Sequence, residues 1–389
     1  MRRTKKIVPV AALLALAACA PSTGGQAGTA DATAAKPLPS ASVDTAFDLN
    51  ALVEAAKKEG SLVVYDSSGD IEEVAKAFTA KYGIAMEGVK SDTPETAEKM
   101  TREHAADHVT IDAAMYEDGG VLMGQLIPQG IVQTWVPADL QDQILPEDRN
   151  PLRALSKATV FAYNTKLSPG GCPIKNIWDL TEPAWSGKFL MQDPLGKPTV
   201  TSFLTQLDSH GNQALEQAYQ DKFGEPLKTK EKSAAYEWIR RIAANKPVLT
   251  SSDEDTSSAV GAPNAADKKI GFMSISKFRN NEDKGYAQST CEGMKPFAGF
   301  SYPKYVAIAA KSKHPNAAKL YVHFIMTEEG VKHEIGEGGT SGNSTVKPLV
   351  DPPGLTDWST QLFHTDPQKL VADLQNRQIM SDFWRLTHR

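Results

Sequence analysis

Hydroxyl side chains gather at four places where an apolar, strand-like run gives way to a helical pattern. They are Ser67 and Ser68; Thr93 and Thr96; Thr199, Thr201 and Ser202; and Ser251, Ser252 and Thr256. A helix N-terminus presents free N–H donors and the positive end of the helix dipole, so it suits an anion. Hydroxyls beside it add neutral donors. The same residues also cap helices with no ligand present. Four such junctions in one chain make ligand contact at one or more of them the expectation. Asp193, like Asp66, Asp70, Glu117 and Asp118, lies near a junction; each can accept from a sugar hydroxyl or cap a helix. Lys277 and Arg279 follow the run Ile270–Ser276 and offer cations to an anionic ligand, with a solvated loop as the alternative.

Other chemistries find less support. His104 and His108 are four apart, a spacing that puts two imidazoles on one helix face as metal sites require. No Glu follows His104, so the zinc-protease pattern is absent. The chain carries no G-x-S-x-G elbow and no G-x-x-x-x-G-K-[ST] loop. No catalytic residue, metal site or cofactor is expected. A secreted hydrolase is the alternative from a different class, and it needs a nucleophile–base pair.

The elements that position the junctions alternate. A helix closed by Gly60 precedes a strand at 62–65, a helix at 71–82 and a strand at 84–90. A helix follows Thr93, with Pro94 in its first turn, and "VTIDAAMY" is a third strand. Further strands are read at 157–167, "KFLMQ", "KIGFMSIS" and "FSYPKYVAIAA", with strong helices at "SAAYEWIRRIAANK" and "NAAKLYVHFIM". Alternation of this kind predicts an α/β protein with parallel strands. In a doubly wound sheet the strand-to-helix junctions gather at the carboxyl ends of the strands, where ligands bind.

The first residues point outside the cytoplasm. "MRRTKK" is basic, and "IVPVAALLALAA" is apolar but too short for a resident span. Leu16-Ala17-Ala18-Cys19 resembles a bacterial lipobox, which predicts a signal peptide at 1–18 and lipid on Cys19. Residues 20–45 are small and polar and read as a tether. Losing Arg2, Arg3, Lys5 and Lys6 takes the formal charge from −5 to −9, which argues against nucleic acid as a partner. Cys172 and Cys291 then remain, and outside the cytoplasm two thiols either pair or stand alone.

Five stretches carry a resemblance: "EAAKKEGSLVVYDSSGD", "TVFAYNTKL", "NIWDLTEPAWSGKFLMQDP", "IGFMSISKF" and "YVAIAAKSKHPNAAKLYVHFIMTEEG". In this order, over residues 50–350, the chain resembles an extracellular solute-binding protein of an ABC importer. The similar branch is type II, near the ferric-iron, phosphonate and sugar-phosphate binders. The resemblance implies a two-lobed Venus-flytrap fold whose hinge is made of crossing strands. Lobe one would take 46–157 and 299–340, and lobe two 158–298 with 341–389 packed on it. It also implies a monomer, anchored in a bacterial cell membrane by its lipid, that serves a membrane permease. Ferric binders of the branch carry adjacent Tyr residues where Lys277 and Phe278 stand here. The expected ligand is therefore a small anionic solute, phosphorylated or phosphonate-like, with ferric iron as the alternative. Its expected contacts are Ser67, Ser68, Thr93, Thr96, Asp193, Thr199, Thr201, Ser202, Ser252 and Lys277.

Overall fold

A computed structural model describes residues 39–336, 338–350 and 358–388. The signal sequence, Cys19 and most of the tether lie outside the described residues. No described helix is long and apolar enough to cross a membrane.

Local sequence accounts for the first elements. Asp48 caps the helix Leu49–Glu59 by accepting from the Asn50 and Ala51 amides, and Gly60 ends it at φ 82°. The strand Ser61–Asp66 buries alternate residues, Leu62, Val64 and Asp66. The helix Ile71–Tyr82 buries Ile71, Val74, Ala75 and Phe78, the stripe expected at i, i+3, i+4 and i+7.

Ser42–Val43 pairs with Trp135–Val136 in a separate two-stranded ribbon, and the other described strands form one sheet that serves both lobes. Ser61–Asp66 lies parallel to Ala85–Lys90 and to Ala113–Tyr116. Across the middle, Gly299–Ala309 runs antiparallel to Ala113–Tyr116 on one side and to the crossing strand Arg153–Asn164 on the other. Beyond that strand come Ile270–Ser274, Phe189–Gln192 and Val248–Thr250. The two long central strands are thus shared, as a hinge of crossing strands requires, and the molecule is a two-lobed α/β protein.

Two apolar cores flank this ribbon. The first joins Leu52, Val64 and Phe78 to Val306, Leu320, Phe324 and Ile335. The second joins Phe161, Trp178, Phe203 and Trp238 to Phe300 and Trp384. The C-terminal helix Leu370–Thr387 reaches beyond the second lobe. Met380 and Trp384 enter the second core, while Leu370 joins a third cluster with Tyr116, Leu122 and Tyr305 of the first lobe. Cys172 and Cys291 are disulfide-bonded, with Cα atoms 5.0 Å apart.

The His pair does not share a helix face. Its helix ends at Ala105, and Asp107 turns left-handed at φ 54° before His108. Among the described residues no group of three or more His, Cys, Asp and Glu side chains is placed to hold a metal ion.

Candidate functional site

A cleft opens between the lobes. From the first lobe, Ser67 follows the strand Ser61–Asp66, Asp92 and Thr93 open the helix Thr93–Ala105, and Glu117 follows the strand Ala113–Tyr116. From the second, Lys197, Thr199, Ser202 and Gln206 line it from the helix Pro198–His210 and the residue before it. Phe300 and Tyr302 of the return strand Gly299–Ala309 form the floor, and Leu370 and Arg377 reach in from the C-terminal helix.

Both thirteen-residue helices that point into the cleft lack a side-chain cap. Neither Asp92 nor Lys197, at their N-cap positions, accepts a capping hydrogen bond. Pro94 and Pro198 occupy first-turn positions, where a missing N–H costs little. The Val200 amide already bonds the Lys197 carbonyl at 3.0 Å, and the other first-turn N–H groups are the donors an anion uses.

The electrostatics are mixed. Burial pushes the Asp253 carboxyl up; the Ser274 amide, donating at 3.2 Å, and the charges of Lys197 and Lys277 pull it back. Burial also pushes Tyr302 well above the usual phenol range, and the carboxylates of Glu117 and Asp253 add to this. Tyr302 is therefore a neutral donor and no phenolate. Behind Ser67 and Ser68 lies a buried charge cluster. Lys304 sits 2.5 Å from Asp66 and 3.1 Å from Glu334, and Lys157 sits 3.0 Å from Glu334 and 3.3 Å from Asp70. Burial, with the Glu334 charge, pushes Asp66 up to about 7. Burial raises Glu334 as well, but the two ammonium groups outweigh it and hold the carboxyl down at about 2.

Four of the ten expected contacts, Ser67, Thr93, Thr199 and Ser202, line the cleft. The others engage their own surroundings. Ser68 donates to Asp70 at 2.6 Å, and Thr96 reaches Ser91 Oγ at 3.1 Å. Asp193 accepts from the Leu195 amide at 3.0 Å, and buried Thr201 donates to the Pro194 carbonyl. Ser252 caps the helix Asp253–Gly261 through the Asp255 amide, and Lys277 lies 3.5 Å from Glu254. Sequence reading did not single out Lys197, Gln206 or Arg377. Thr199, Ser202 and Gln206 are spaced three and four apart along one face of the helix, and that polar stripe is a signal for Gln206. Arg377 comes from a distant tail and has no local signal.

Residues 62–333 match the model of the bacterial extracellular solute-binding protein family, and the chain belongs to that family. It binds a solute outside the cytoplasm, as that family description says. Iron-bound HitA from Pseudomonas aeruginosa superposes with a TM-score of 0.64 at 19% identity, over 85% of this chain and 99% of that one. AfuA from Actinobacillus pleuropneumoniae, with exogenous fructose-6-phosphate bound, gives 0.59 at 18%, over 83% and 97%. The substrate-binding protein of an ABC transporter from Agrobacterium tumefaciens gives 0.62 at 16%, over 85% and 94%. No curated protein matches the sequence.

Proposed function

We propose that the cleft captures a small anionic solute, phosphorylated or phosphonate-like, and that the protein hands it unchanged to its permease. The observation that carries this reading is the pair of uncapped helix N-termini, at Thr93 and Pro198, facing one cleft with Lys197 beside them. Thr93, Thr199, Ser202 and Ser67 add hydroxyl donors. Asp92 and Glu117 suit hydroxyl groups on the same solute. The protein acts as a monomer, held at the cell surface through Cys19, and turns nothing over.

A thermal-shift panel of sugar phosphates, phosphonates, inorganic phosphate, neutral sugars and ferric citrate tests the reading. A ligand at a hundred times its Kd adds about 2.7 kcal/mol of stability, read as a rise of a few degrees. Phosphorylated compounds are expected to give that rise, and a rise with neutral sugars alone would refute the anion reading. The carboxylates Asp92 and Glu117 support ferric ion as the second reading. Ferric citrate would then shift the wild type and not Glu117→Gln.

A further inference from the structure

Buried polar atoms in folded proteins are almost always hydrogen-bonded, and an orphan marks the place of a missing partner. Two orphans belong to residues at the inner end of the cleft, where the helix Pro198–His210, the return strand and the C-terminal helix meet. Gln206 is 1% exposed. Its Nε2 donates to Ser202 Oγ at 2.8 Å, and its Oε1 has no partner among the described residues. Arg377 gives two N–H groups to Asp118, while its Nε has no partner among the described residues. Phe300 and Leu370 supply apolar wall.

One orphan accepts and the other donates. A hydroxyl does both, a phosphate dianion only accepts and an alkyl chain does neither. A hydroxyl also serves Gln206 in either orientation of its amide. We propose that the inner end of the cleft is a hydroxyl-reading subsite, with Gln206 and Arg377 as its specificity-determining residues. The captured solute then carries a hydroxyl on the end away from its charge, a placement that rests on the anion reading above. Arg377 lies beyond the residues 62–333 matched by the family, so the C-terminal helix of this chain supplies that half of the subsite.

Calorimetric titration of the purified full-length protein with matched pairs tests this. The pairs are fructose 6-phosphate against n-hexyl phosphate, and fructose against 1-hexanol. Fructose 6-phosphate is expected to bind at least about tenfold more tightly than hexyl phosphate, since a site built for a hydroxyl rejects the analogue lacking it. Gln206→Met should cut that preference several-fold, by weakening fructose 6-phosphate more than hexyl phosphate, and keep the ligand-free melting temperature. Arg377→Lys keeps a cation beside Asp118 but lacks the Nε donor, so it should act alike, and it serves if Gln206→Met does not fold. If fructose binds as tightly as fructose 6-phosphate and both depend on Gln206, the subsite stands and the anion reading falls. Equal wild-type affinities within each pair, a preference undiminished by both substitutions, or no binding by either pair would overturn the subsite.

Discussion

Lys197 is the cation nearest the start of the helix Pro198–His210, and it stands on the cleft wall. A hydrogen bond to a charged group contributes about 1.5–3 kcal/mol, so Lys197→Gln should weaken a phosphorylated ligand roughly tenfold to a hundredfold. Titration at rising salt should show the wild-type advantage shrinking. Asp66 makes a different prediction. Its carboxyl titrates at 3.8 when unfolded and about 7 when folded. Its contribution to stability is complete below the unfolded value and is lost as pH rises through the folded one. Glu334, at 4.5 unfolded and about 2 folded, contributes above 4.5 and loses that as pH falls. Urea unfolding between pH 4 and 7 should therefore show wild-type stability falling relative to Asp66→Asn. Parallel curves would remove the burial account of Asp66.

The elements around the cleft pack closely enough to be tested by a single carbon. A Cβ on Gly119 would lie 2.6 Å from the Tyr305 ring and 2.7 Å from Leu370. Gly119→Ala should cost about 1–3 kcal/mol by overpacking, and should loosen the C-terminal helix measured by hydrogen exchange. Most of these elements were legible in the sequence. The stripe Ile71, Val74, Ala75, Phe78 and the alternation of Ser61–Asp66 are local patterns, and local patterns survive folding when tertiary packing agrees with them. The hydroxyl junctions were legible as junctions, but sequence does not say which hydroxyls face out. Thr96 and Thr201 share first-turn positions with Thr93 and Thr199, yet their side chains turn back to Ser91 and Pro194. The inner end of the cleft was illegible for a simpler reason: Gln206, Phe300 and Arg377 meet only once the chain is folded.

At the scale of the whole molecule, the Cys172–Cys291 bond closes a separation of 119 residues within the second lobe. In the chain-entropy account its removal costs about 2–5 kcal/mol. The double substitution Cys172→Ala with Cys291→Ala should lower the melting temperature by several degrees while the cleft residues keep their ligand affinity. A ligand affinity lost in proportion to stability would tie the bond to the cleft.

The first core takes its far wall from the strand Gly299–Ala309 and the helices Pro315–Ile325 and Glu328–Ile335. During synthesis, therefore, the amino-terminal lobe lacks its central strand until nearly the whole chain has left the ribosome. Nascent domains generally fold as units, and this unit is not complete until residue 335 exists. The order in which the chain is written thus leaves the Leu52, Val64 and Phe78 side of this core uncovered until the return segment arrives.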